Sequence, residues 1–191
     1  MESLKTNLVL DAKGLACPMP IVKTKKAITN LEGGQVLEVQ ATDKGSKADL
    51  KAWAESTGHQ YLGTIEEGDV LKHYIRKASS EEAVEKKHPN VASNEELEVA
   101  ISSGKDILVL DVREAAEYAF NHIPGAVSIP LGDIEKRMNE LNEEKEIYVV
   151  CRRGSRSDLA SQKLTEKGFK NVINVLPGMS KWTGNTTSIK N

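Results

Sequence analysis

Ile147-Tyr148-Val149-Val150-Cys151-Arg152-Arg153-Gly154-Ser155-Arg156 is the stretch that decides what the second half of this chain is. Four apolar residues in a row, three of them β-branched, read as a strand covered on both faces, the mark of a parallel sheet. Cys151 stands at the carboxyl end of that strand, where open α/β sheets place their ligand sites. Ser155 to Lys167 has helical spacing and stops at Gly168, so Cys151 to Arg156 joins a strand to a helix. Such a loop wraps backbone N–H groups around one point with a helix N-terminus behind them. That arrangement favours an anion and lowers a thiol's pKa. Three arginines in the same six residues, Arg152, Arg153 and Arg156, add positive charge, and Gly154 permits a turn that a β-carbon would resist. The expected product is a cradle for a thiolate, a persulfide or an oxyanion. The plainer reading is a buried strand-end cysteine before a solvated basic turn, and the adjacent cations count against it.

Outward from the loop, the alternation of strands and helices continues. Ser93 and Glu96 spell a capping box for a helix through Ile101, and Ile107 to Leu110 form a second covered strand. Helical stretches follow near Glu114 to Phe120 and Asp133 to Leu141, with a third strand at Val172 to Val175. Residues 90–191 therefore predict a parallel-sheet α/β domain. Upstream, Ser79 to Pro89 has almost no apolar side chains and reads as a linker, 79–89, with some helical tendency.

Residues 1–78 follow another order. Leu8 to Leu10 read as a strand, and Pro18 to about Leu31 as a helix stopped by Glu32-Gly33-Gly34. Val36 to Ala41 is a strand, Lys47 to Ser56 a helix, and His59 to Ile65 and Val70 to Ile75 flank the turn Glu67-Gly68-Asp69. The order β-α-β-α-β-β predicts a two-layer sandwich, one sheet with both helices on one face.

The 191 residues are 39% hydrophobic and 28% charged, with 14 Gly and 6 Pro, which excludes collagen-like, mucin-like and extended disordered chains. A net charge of −2 gives no footprint for a nucleic-acid partner. No apolar run approaches the roughly 20 residues that span a bilayer, and Met1 to Thr6 leads into a strand-like run without a secretory signal. A cytoplasmic protein without a membrane partner is expected. There Cys17 and Cys151, the only cysteines, should stay unbridged. Neither belongs to a Cys-x-x-Cys pair and the 4 His show no ligand spacing, so no metal and no cofactor is expected. His59, His73 and His88 read as surface or strand-edge residues, and Trp53 and Trp182 as core anchors.

Cys17-Pro18-Met19-Pro20 opens the first helix. Proline is favoured at the first helical positions, which puts Cys17 near the N-cap, where orphan amides and the helix dipole favour a thiolate. From this chemistry alone, a small capping residue explains Cys17 equally well.

Several motifs resemble known families. Leu110-Asp111-Val112-Arg113-Glu114, Glu117-Tyr118 and His122-Ile123-Pro124-Gly125-Ala126 look like the first signature of the rhodaneses. Cys151 to Arg156 resembles their catalytic loop, and Gly178-Met179-Ser180-Lys181-Trp182 their closing signature. Two positions depart: Asn121 stands where a Gly is usual before the His, and Pro177-Gly178 replaces Gly-Gly. The resemblance implies that Cys151 is a nucleophile that takes a sulfane sulfur as a persulfide. It also implies that Arg152, Arg153, Gly154, Ser155 and Arg156 bind that sulfur, the loop amides holding it and the three arginines attracting an anionic donor such as thiosulfate. Asp111, Arg113 and His122 are expected to be structural. Cysteine phosphatases share this fold but use Cys-x5-Arg. Here the spacing is Cys-x4-Arg, a tighter loop sized for a sulfur atom.

Leu10-Asp11-Ala12-Lys13-Gly14-Leu15-Ala16-Cys17-Pro18-Met19-Pro20 resembles the signature of the TusA/SirA-like sulfur carriers, and the likeness runs through Gly34 and Asp43 to Tyr74-Ile75-Arg76-Lys77. It implies that Cys17 carries a persulfide between partner proteins, that Asp11 positions the loop, and that Lys25 and Lys26 either dock a partner or are simply solvated. Together the resemblances imply a sulfurtransferase fusion serving sulfur metabolism. Sulfane sulfur from thiosulfate or a persulfide donor would load Cys151 and be relayed to or from Cys17, and on to a thiol or protein acceptor. The alternative is a persulfide-binding or redox-sensing module with little turnover of its own.

Overall fold

Across the residues that this computed structural model describes, 4–79 and 86–189, the chain divides into two units, each with its own sheet. The linker expected over 79–89 lies largely outside the described residues.

The first unit contains β1 (Leu8–Asp11), α1 (Met19–Ile28), β2 (Val36–Ala41), α2 (Ser46–Thr57), β3 (Gln60–Glu67) and β4 (Val70–Arg76). The sheet order is β1-β2-β4-β3, with β1 parallel to β2 and the other pairs antiparallel. Leu37 and Val39 from β2 and Ile75 from β4 form one core with Ala27 and Ile28 of α1 and Leu50 and Ala54 of α2. Residues two apart on a strand share a face, so both helices cover the same side, and the unit is the expected two-layer sandwich. Helix α1 is shorter than its apolar spacing predicts. The N–H groups of Asn30 and Leu31 bond the carbonyls of Ala27 and Ile28, three residues back, so the last turn tightens and ends.

His73 is fully buried rather than at the surface, because β4 lies between β2 and β3. Its ring is satisfied there: Nε2 lies 2.9 Å from Ser46 Oγ, and Nδ1 lies 2.9 Å from Tyr61 Oη and 3.0 Å from Thr64 Oγ1. Burial pushes its pKa down to about 4, helped by the charge of Lys47. His59 is half-buried against Trp53, and Trp53 itself packs at the margin of the core rather than within it.

The second unit contains β5 (Val91–Ser93), α3 (Asn94–Ser102), β6 (Ile107–Asp111), α4 (Ala115–Phe120), β7 (Val127–Ser128), α5 (Ile134–Arg137), β8 (Glu146–Val150), α6 (Ser155–Glu166) and β9 (Val172–Leu176). All its strands are parallel, in the order β5-β9-β8-β6-β7. Along β8 and just beyond it the side chains alternate between two cores. Ile147, Val149 and Cys151 pack with Ala160 and Leu164 of α6, while Tyr148 and Val150 pack with Leu97 and Ala100 of α3. This double cover is why the strand reads as a continuous apolar run. The capping box of α3 forms: Glu96 N–H donates to Ser93 Oγ at 3.1 Å, and Ser93 N–H donates to Glu96 Oε2 at 2.7 Å.

Two edge strands, β5 and β7, were too short for their periodicity to be read. The helix expected at Asp133 to Leu141 is one α-turn, α5, between 3-10 turns at Leu131–Asp133 and Met138–Glu140. Gly132, Asp133 and Asn139 are weak helix formers that leave it little propensity to extend. His88 is buried, against the surface expectation, with Nε2 2.8 Å from the Val172 carbonyl oxygen. Trp182 is half-buried at the edge of its core. No helix among the described residues is long and apolar enough to cross a membrane.

Candidate functional site

Strand β8 delivers Cys151 into a buried position, 1% exposed, and the chain turns through Arg152 and Arg153 into α6. Gly154 makes the turn possible. Its φ is +94°, and a β-carbon there would lie 2.2 Å from Leu176 Cδ2. In this conformation the Gly154 N–H donates to Cys151 Sγ at 3.0 Å. Ser157 Oγ lies 3.2 Å from the same sulfur and donates its one proton to Asn174 Oδ1 at 2.6 Å. The Ser157 hydroxyl can accept from a thiol at Cys151, or turn its proton to the sulfur. Asn174 Nδ2 closes the ring on the Gly154 carbonyl at 3.2 Å.

The segment after β9 fastens the loop from the other side. Met179 N–H bonds the Cys151 carbonyl at 2.8 Å, and Ser180 N–H bonds that of Arg152 at 2.9 Å. Only glycine fits at 178, because a β-carbon there would stand 2.4 Å from the Cys151 carbonyl oxygen. Asn94 brackets Gly178, donating from Nδ2 to its carbonyl at 2.9 Å and accepting its N–H at 3.1 Å.

The arginines are not equivalent. Arg156 was expected to attract an anion, but its guanidinium forks onto Glu117, with Nη1–Oε1 at 2.6 Å and Nη2–Oε2 at 3.2 Å, both side chains buried. That charge is met inside the protein, which leaves Arg156 its backbone N–H to offer the loop. Arg153 is exposed, Arg152 half-buried and Ser155 buried in the first turn of α6. Arg113 forks onto Asp111, at 2.6 Å from Nη2 to Oδ2, and also bonds the Asn121 carbonyl, tying β6 to the loop after α4. His122 stacks on Tyr118 at 3.8 Å and binds the Tyr118 carbonyl through Nδ1 at 2.7 Å. These three residues hold structure, as expected.

Cys17 lies in the first unit, exposed, in the loop before α1. It sits directly before the N-cap, as near that position as expected: Pro18 is the N-cap, after a cis peptide bond, and the helix begins at Met19. Asp11 accepts the Lys13 N–H at 3.0 Å, and Thr42 Oγ1 accepts that of Gly14 at 2.9 Å, which sets the course of the loop. The electrostatics oppose the sequence expectation. A hydrogen bond to the Asp49 carboxylate raises the thiol pKa, followed by loss of solvent and by the negative charges of Asp49 and Asp43. Asp43 and Asp49 converge over Gly45: a β-carbon there would have an oxygen of each within 4 Å. Lys25 and Lys26 are exposed on α1.

Sequence reasoning missed Ser157, Asn174, Asn94 and Asp49. Ser157 lies six residues from Cys151, but its neighbours Ser155 and Ser161 look the same in sequence. The others reach their sites from distant elements and leave no local signal. Among the described residues, no cluster of three or more His, Cys, Asp or Glu side chains is placed to hold a metal ion.

Residues 8–77 match the family model for the sulfurtransferase TusA, and residues 93–185 match that for the rhodanese-like domain. The chain is 54% identical to YrkF of Bacillus subtilis (strain 168), described as a "putative sulfur carrier protein", over 96% of this chain and 99% of that one. It is 64% identical over 74 residues to YrkI of the same organism, also a "putative sulfur carrier protein", covering 39% of this chain and 99% of YrkI. A third relative from that organism, the "putative sulfurtransferase" YtwF, is 42% identical over 90 residues, 47% of this chain and 86% of its own.

Proposed function

The chain belongs to the sulfur carrier and sulfurtransferase family whose members join a TusA domain to a rhodanese-like domain, and we propose that both its thiols carry sulfur, Cys151 as the entry point and Cys17 as the carrier. The observation that supports Cys151 most is the Gly154 N–H aimed at its sulfur from 3.0 Å, at the carboxyl end of a parallel strand. In the first step the Cys151 thiolate attacks the outer sulfur of thiosulfate or a persulfide. An S–S bond forms at Cys151, and the donor's S–S bond breaks with its electron pair leaving on sulfite or on the donor thiolate. The loop amides through Arg156 and the Ser157 hydroxyl then hold the persulfide, while Arg152 and Arg153 draw the anionic donor.

In the second step the Cys17 thiolate attacks the outer sulfur of that persulfide, and the electron pair leaves on Cys151 Sγ. The reverse traffic uses the same bonds. A tether no longer than residues 79–89, shortened because 86–88 bond to Asp158 and Val172, gives an effective concentration of about millimolar, enough to favour transfer within one chain. A thiol or a protein then takes the sulfur from Cys17. This chemistry suits a reducing cytoplasm, where thiols stay free, and both transfers use only the two thiols and the donor's sulfur.

Turnover with thiosulfate and cyanide tests the entry point. Wild type and Cys17→Ser should form thiocyanate at similar rates, and Cys151→Ser should form none. Persulfide loading without multiple turnover in the wild type would favour the sensing module instead.

A further inference from the structure

Arg156 has its charge met by Glu117, so one of the three cations that the loop sequence advertises faces the interior. Another cation arrives from outside the loop. Lys86 Cε lies 3.0 Å from the point where a β-carbon of Gly154 would stand, directly over the residue whose N–H touches Cys151 Sγ. This placement is fixed by hydrogen bonds. The buried Asp158 carboxylate, in the first turn of α6, accepts the Lys87 N–H on Oδ2 at 3.0 Å and the His88 N–H on Oδ1 at 2.8 Å. Gln162 Nε2 steadies Oδ2 at 2.6 Å, and His88 Nε2 anchors the segment to the Val172 carbonyl. Residues 86–88 thus form a strap pinned across the start of α6.

We propose that Lys86 is a substrate-positioning residue of the Cys151 site, contributing the cation that draws an anionic sulfur donor to the loop. The inference rests on the proposed role of Cys151 as the sulfur-accepting thiol. Bond lengths bound the geometry: from Sγ through the Gly154 N, its Cα and the β-carbon point, Lys86 Cε is at most roughly 9 Å away. The ammonium is one bond further, at most roughly 10.5 Å from the sulfur, a distance comparable with the Debye length of about 8 Å at physiological salt, so its field reaches an anion there with partial screening. A flexible lysine at the rim fits this task better than a buried guanidinium, because its charge approaches the donor without being locked into a fork with a carboxylate. The charged groups on the elements around the site are then Lys86 on the strap, Arg152 and Arg153 in the loop and the buried Asp158 carboxylate under the strap, with the Arg156–Glu117 pair neutral overall. Coulomb attraction at this range, in a dielectric between those of protein surface and water, changes the affinity for a dianion by about threefold to tenfold.

The test uses the full chain with Cys17→Ser, so that Cys151 is the one reactive thiol. Alkylation rates with iodoacetate, an anion, and iodoacetamide, its neutral analogue, are compared for Lys86, Lys86→Met and Lys86→Arg. The ratio of iodoacetate to iodoacetamide rates should fall about twofold to fourfold in Lys86→Met and recover in Lys86→Arg. In thiosulfate turnover, Lys86→Met should raise KM by threefold or more with kcat nearly unchanged, and added salt should raise the wild-type KM more than that of the variant. An unchanged alkylation ratio in Lys86→Met would overturn the proposal. If thiosulfate supports no turnover in any form while the alkylation ratio still falls, the entry-point reading fails and the role of Lys86 toward anions stands.

Discussion

Cys151 receives a backbone N–H at 3.0 Å, while Cys17 faces the carboxylates of Asp49 and Asp43. A donor aimed at sulfur favours negative charge on it, and a carboxylate disfavours it. The two thiols therefore suit different tasks. In the proposed relay the Cys151 loop would hold the persulfide, and Cys17, with carboxylates beside it, would pass the sulfur on to an acceptor thiolate. Asp49 is the residue to change. Asp49→Ala removes the acceptor and its charge together, so the pKa of Cys17 should move down. Measured in a Cys151→Ser background, the pH midpoint of Cys17 alkylation by iodoacetamide should shift to lower pH, and the rate at pH 7 should rise. An unchanged midpoint would show that Asp49 does not govern this thiol.

Within the first unit, His73 links three elements: the start of α2 through Ser46, strand β3 through Tyr61 and Thr64, and its own strand β4. The ring is neutral in the folded state, with its pKa pushed down to about 4, and titrates near 6.5 when unfolded. Between these values the unfolded chain binds the extra proton. The stabilisation is complete above about pH 6.5 and is lost as pH falls toward 4, by at most about 1.4 kcal/mol per pH unit. Urea unfolding of the first unit, followed by hydrogen exchange of β4 amides, should show this slope in the wild type. The slope should be shallower in His73→Gln, with the remainder from His59, whose pKa burial also lowers, and equal slopes would remove His73 as a cause.

The same residue marks the limit of what sequence reveals. The patterns of β2 and β8 are legible because every residue of a central strand answers to local burial. His73 and His88 are not, because their partners come from Ser46, Thr64 and Val172, far along the chain. At the site, Cys151, Gly154 and the strand-to-helix loop follow from contiguous residues. The neutralisation of Arg156 depends on Glu117, 39 positions away, and the raised pKa of Cys17 depends on the fold bringing α2 beside the loop before α1.

As a whole molecule, the chain carries two free thiols on two folding units. In the proposed relay, sulfur entering at Cys151 reaches Cys17 of the same chain. Intact mass spectrometry, with peptide mapping of the sulfur after a brief exposure to thiosulfate, tests it most directly. Wild type should carry the added sulfur on Cys151 first and Cys17 later. Cys151→Ser should leave Cys17 unloaded, and a dilute mixture of the two single variants should load Cys17 more slowly than wild type at the same concentration. Sulfur appearing on Cys17 as quickly in Cys151→Ser as in the wild type, or never reaching Cys17 from a loaded Cys151, would contradict the relay.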